Sequence, residues 1–217
     1  MTATGRDPDR PARLLLTEQA ALLPILERTP PESFDRPTIL PGWSVRDVMA
    51  HCGAALSMVA RGTVHAFTAE LNEVDVAKRR GWPLPALIEE LRQGYQAAAA
   101  AITAAGGPLD GMALGEWVHG GDIREALEEP LAYESAGVED ALVLLIERSR
   151  QPHRHVPPTR VRCDDRELAL GSRGDPGPRA ELSTDTATLV RLCCGRHPDP
   201  SRFTLEDAHP QDYVLFR

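Results

Sequence analysis

The stretch LPGWSVRDVMAHC, residues 40–52, decides how this chain is read. Ser44 followed three residues later by Asp47 is a helix start of the capping-box kind, with Asp in place of the usual Glu. Behind it Val48, Met49, Ala55 and Val59 recur at helical spacing, so the pattern predicts a helix that opens at Ser44 and runs towards Phe67. Gly53 and Gly62 lie inside that span, where each either weakens the helix or lets a neighbour come close. His51 falls two turns in, beside Val48, Met49 and Cys52, and therefore near the apolar face.

Before this stretch, residues from Pro11 to Arg28 carry a helical stripe of Leu14, Leu15, Ala20, Leu22, Leu23 and Leu26. The link between them, TPPESFDRPTILPGW (29–43), cannot be one helix. Each proline lacks a donor and clashes with the preceding turn, so it reads as an ordered connecting loop. After it, a helix from Pro83 or Pro85 to Ala104 shows Leu87, Ile88, Leu91, Tyr95 and Ile102 on one stripe and ends at Gly106–Gly107. Further helices are expected over 109–127 and 138–150. A ladder of helices with short to medium links is a bundle.

Character changes at QPHRHVPP (151–158), which reads as a linker. Strand-like segments follow: TRVRCDD (159–165), RELALGS (166–172) and, after the turn GDPGP (174–178), PRAELS (178–183). One more helix is expected from Thr186 to Cys194, and YVLFR (213–217) as a last strand. The expected fold is therefore α+β: a helical bundle over 1–150 and a small α+β domain over 159–217. At that size the second domain is expected to pack on the bundle rather than stand alone.

The bulk composition fits a folded protein, with 42% hydrophobic and 26% charged residues in 217. Aromatic residues make up only 5%, so Leu, Val, Ile and Ala must fill most of the core. A net charge of −8 repels phosphate backbones and anionic lipid surfaces, which argues against nucleic acid and membrane as partners. No apolar run reaches the roughly 18–20 residues of a spanning helix. The polar start MTATGRDPDRPAR lacks the apolar core of an export signal, so a cytoplasmic location is expected. Four cysteines in a chain of this length, without an export signal, are read as reduced thiols. Cys193 and Cys194, in the apolar run TATLVRLCC (186–194), are read as core packing, and so is Cys52.

Most of the histidines have a bland reading. His153 and His155 lie in the linker, His197 and His209 near prolines, and His65 late in the second helix. His119 differs. In GEWVHGGDIREAL (115–127) it stands three residues after Glu116 and three before Asp122, and residues three apart share a helix face. Two histidines, His51 and His119, with one carboxylate on adjacent helices would suit a divalent metal such as zinc, leaving a coordination position open. From spacing alone the same residues are also read as a core histidine and a surface acidic flank.

Two motifs carry a resemblance. LPGWSVRDVMAH (40–51) and WVHGGDIREAL (117–127) resemble the two signatures of the actinobacterial, mycothiol-dependent maleylpyruvate isomerase-like family, within the DinB-like superfamily of metal-binding four-helix bundles. The tail, RELALGS (166–172) and the helix ending CCGR (193–196), is similar to that family's C-terminal module. The resemblance implies a DinB-like up-down helical bundle followed by a sterol-carrier-like α+β tail. It implies a divalent metal, usually zinc, and mycothiol, a low-molecular-weight thiol, as cosubstrate. His51 and His119 match its histidine ligands, and Asp122 the acidic residue of its H-x-x-D motif. Arg196 matches the arginine of its terminal Gly-Arg, near the substrate. The family's glutamate ligand lies four residues before the second histidine, where this chain has Gly115. The third ligand is then either Glu116, one place later, or Asp122.

These readings lead to three expected functions. In the first, a metal-bound thiolate adds to a small electrophilic substrate, and the protein is an isomerase or a thiol S-transferase, with Arg196 clamping a substrate carboxylate. In the second, zinc activates water and the protein is a small hydrolase. In the third, it is a non-catalytic small-ligand-binding or interaction protein. A small-molecule substrate, a low-molecular-weight thiol and a monomer or homodimer complete the expected partners.

Overall fold

The computed structural model describes residues 6–64, 67–171 and 177–216. His65, the start of the GDPGP turn (174–176) and Arg217 of YVLFR lie outside those residues. The chain divides into two compact units, Met1–Pro130 and Leu131–Arg217. Among the described residues there are seven α-helices and one four-stranded sheet, an α+β fold.

In the first unit α1 (Arg10–Arg28), α2 (Val45–Arg61), α4 (Leu84–Ala105) and α5 (Asp110–Ala126) pack as a ring of four, α2 on α4, α4 on α1, α1 on α5 and α5 on α2. The expected spans of α1, α4 and α5 agree with these bounds to within two residues. α2 starts as its sequence demands. Ser44 accepts a hydrogen bond from the Asp47 backbone amide, and Asp47 accepts one from the Ser44 amide, closing the capping box. Its buried face includes Val45, Val48, Met49, Cys52, Leu56 and Val59, all 2% exposed or less. Gly94 lets α4 close on α2, since a Cβ there would lie 2.9 Å from the Leu56 Cβ.

α2 does not run on towards Phe67. Gly62, at φ 66°, takes the left-handed conformation and caps the helix, as glycine does without steric cost. A helix absent from the sequence reading, α3 (Ala69–Ala77), follows, with the Thr68 side chain accepting from the Leu71 amide. It buries only Val76, so it has no apolar stripe to betray it. Polar ties fasten the turn after it: Arg79 holds Glu90 through two bonds of 2.7 Å, and Arg80 bonds Asp47 at 3.2 Å and Glu73 at 2.8 Å.

The second unit holds the sheet, in order β2-β1-β3-β4. β1 (Thr159–Cys163) and β2 (Arg166–Leu170) form an antiparallel hairpin across Asp164–Asp165. β3 (Ala180–Thr184) runs parallel to β1, and β4 (Phe203–Glu206) antiparallel to β3. α6 (Val138–Ser149) belongs to this unit. The Gly171 amide donates to its Ser149 Oγ, and its Arg148 donates to the Leu215 carbonyl. The linker at 151–158 that the sequence suggests as the boundary thus falls inside this unit, after α6. α7 (Thr186–Cys193) begins at Asp185, whose carboxylate accepts from the Thr188 amide. Cys163, Cys193 and Cys194 are buried and outside any disulfide, as is Cys52 in the bundle.

The last strand is not YVLFR but Phe203–Glu206. Tyr213 ends a 3₁₀ turn and joins its hydroxyl to Thr159 Oγ1 at 2.7 Å, and the Leu215 amide donates to the Cys193 carbonyl at 2.8 Å. Alternating burial in this tail comes from packing on one side, not from a ladder, and periodicity cannot tell the two apart. No helix among the described residues is long and apolar enough to cross a membrane.

Candidate functional site

α2 and α5 bring His51 and His119 together. Their ring centroids are 5.0 Å apart, edge to face at 82°. His51 is 8% exposed and sits among aromatic rings: Trp43 tilts against it at 5.1 Å, and Phe67 meets it edge-on at 6.4 Å. Trp43 stands one residue before the capping box, so the motif that starts α2 also walls its histidine. The indole Nε1 donates to Glu73 Oε2 at 3.3 Å, tying the wall to α3.

Asp122 is fully buried, and its Oδ2 lies 3.0 Å from His119 Nδ1. The contact holds the ring through Nδ1 and turns Nε2 away from the carboxylate. Histidines that bind metals are held in this way, with a carboxylate on the nitrogen away from the ion. Glu116 is 2% exposed and lies near the Cys52 thiol, while its Oε2 has no partner among the described residues. Burial, with a smaller push from the charge of Glu18, raises the Glu116 carboxyl to about 8. Burial likewise lifts the Cys52 thiol well above its ordinary range, with Glu116 next in effect. Cys52 is therefore an inert packing thiol, as its place in the sequence suggests.

The donor chemistry suits a borderline divalent ion such as zinc through two imidazoles. Among the described residues no three His, Cys, Asp or Glu side chains converge as a metal-binding group. The two imidazoles are the residues that would hold such an ion, with Asp122 behind His119. Arg196 is in the second unit, where its Nη1 donates to the Cys194 carbonyl at 2.7 Å.

The sequence reading missed the layer behind the histidines. Glu18 of α1 and Arg124 of α5 form a buried ion pair at 2.8 Å, both 2% exposed or less. Burial drives the Glu18 carboxyl up to about 7 despite the opposing Arg124 charge. Gly120 makes room for the pair, because a Cβ there would fall 1.8 Å from Glu18 Oε1. The signal was present: Glu18 lies four residues after Leu14 and four before Leu22, on the apolar stripe of its helix, where a charge needs a partner.

A family model described as the mycothiol maleylpyruvate isomerase N-terminal domain matches residues 15–124. Two solved structures are similar over nearly their whole length. The mycothiol-dependent maleylpyruvate isomerase matches with a TM-score of 0.57 at 13% identity, covering 92% of this chain and 93% of that one. A mutant of that enzyme matches with the same TM-score and coverage at 11% identity. At such identity the likeness concerns the fold. No curated protein matches the chain.

Proposed function

Because this chain belongs to the mycothiol maleylpyruvate isomerase N-terminal domain family, we propose that its His51–His119 pair is a divalent-metal site serving a thiol-dependent isomerase or thiol S-transferase. Zinc is the ion that two imidazoles suit, mycothiol the thiol, and a small electrophile the substrate. The observation that carries this reading is the imidazole pair itself, 5.0 Å apart, with a buried carboxylate on Nδ1 of one ring. When bound, the ion would lower the pKa of a thiol and make its thiolate available at neutral pH.

The chain's own residues do the rest. Asp122 fixes the tautomer and the orientation of His119. Trp43 and Phe67 shield His51 from water and present apolar faces beside the pair. Two protein ligands leave positions for small molecules to share. Arg196 is the proposed anchor for a substrate carboxylate, since a guanidinium matches that group with paired donors.

The test is spectroscopic. The protein is loaded with cobalt(II) in place of zinc, and mycothiol is then added. A thiolate-to-cobalt charge-transfer band that grows with mycothiol and saturates supports the reading. A cobalt spectrum that mycothiol leaves unchanged counts against it.

A further inference from the structure

Four polar atoms inside the bundle have no hydrogen-bonding partner among the described residues: Glu18 Oε2 on α1, Tyr95 Oη on α4, and Glu116 Oε2 and Arg124 Nη2 on α5. All four residues are 2% exposed or less. Glu18 and Arg124 meet at 2.8 Å between α1 and α5, in the room that Gly120 leaves. The Tyr95 hydroxyl is raised well above its ordinary range, by burial first and then by the charges of Glu18, Glu116 and Cys52, and Glu116 responds in turn to Glu18.

The Glu18–Arg124 contact uses only Oε1 and Nη1, although a guanidinium and a carboxylate can bond through two parallel contacts. The second donor and the second acceptor are thus free for something else. The set is also chemically complementary. Arg124 Nη2 donates, Glu18 Oε2 accepts, and the Tyr95 hydroxyl does both. Buried polar groups in folded proteins are paired with protein or with ordered water, and four bare ones together would offset a large part of a domain's stability.

We propose that these four atoms line an internal hydration site, in which about one or two water molecules bridge Arg124 and Tyr95 to the Glu18 and Glu116 carboxyls. A water with two to four polar partners is held for long times and is part of the structure. The site lies close to the histidine pair, since Glu116 stands one turn before His119 on α5 and its charge acts on Cys52, the neighbour of His51. It does not depend on the metal or on the thiol.

The experiment is magnetic relaxation dispersion of isotope-labelled water on the full chain, wild type beside Tyr95→Phe. The expected result is a long-lived internal water in the wild type whose signal falls in the variant. No long-lived water, or a signal the variant leaves intact, overturns the proposal. Thermal unfolding of the same pair gives an independent sign. A water-bonded hydroxyl makes Tyr95→Phe melt lower, whereas a dry, unpaired one makes it melt higher, which would overturn the site.

Discussion

The Asp122 carboxylate holds His119 from one turn further along α5, Oδ2 to Nδ1 at 3.0 Å, with no exposure to solvent. That relationship gives a half-buried histidine the orientation that the proposed metal site requires. Replacing the carboxylate by an amide keeps the shape and removes the charge that fixes the tautomer. Asp122→Asn is expected to lower zinc affinity about 10–100-fold while the fold persists. Competition against a chromophoric chelator measures it, and an unchanged affinity would assign Asp122 to packing alone.

Glu116 governs how stability depends on pH. Its carboxyl is raised to about 8 in the folded protein, from an ordinary value near 4.5. Between those values the folded state binds the proton that the unfolded state has released. The stabilisation is therefore complete below the unfolded value, falls as pH rises through this window, and is gone above about 8. Glu18, raised to about 7, adds to the same slope. Denaturant unfolding from pH 5 to pH 9 is expected to show falling stability, and Glu116→Gln to flatten the curve by an amount on the order of a few kcal/mol. An equal slope in the variant would show that Glu116 titrates normally.

Gly120 is a packing requirement. An added Cβ would sit 1.8 Å from Glu18 Oε1 and 2.9 Å from Arg124 Nη1, so the buried pair must move or break. Gly120→Ala is expected to cost about 3 kcal/mol or more, combining overpacking with disruption of a buried ion pair. Gly81→Ala is the control, since a Cβ there meets nothing within 4 Å. Similar melting temperatures for the two variants would contradict the assignment.

Ser44 closes the capping box that launches α2 and sets the helix carrying His51. Ser44→Ala removes the acceptor for the Asp47 amide and is expected to destabilise the protein by about 1 kcal/mol. Chemical denaturation measures it. A negligible change would mean that Arg80, which also bonds Asp47, holds the helix start by itself.

The bundle was legible because its helices announce themselves. Leucine stripes, a Ser-x-x-Asp start and a Gly-Gly stop each have a local physical cause. α3 and β4 were not legible, since each buries too little apolar surface to leave a pattern: Val76 alone in α3, and no fully buried residue in β4. YVLFR misled for the opposite reason, because Tyr213 and Leu215 are buried without any strand partner. At the site, the motifs gave His51, His119 and Asp122 as candidates, but not how they meet. Asp122 and Glu116 look equivalent in sequence, each three residues from His119. Asp122 meets the His119 ring while Glu116 keeps an unpartnered Oε2 in the core, a difference invisible in the sequence of α5.

Elemental analysis of the purified protein, with wild type, His51→Ala and His119→Ala side by side, tests the metal site most directly. About one zinc per chain in the wild type, lost in both variants while their folds persist by circular dichroism, is the expected result. A wild type that holds no zinc after loading and removal of excess, or variants that keep it, would contradict a metal site at the histidine pair.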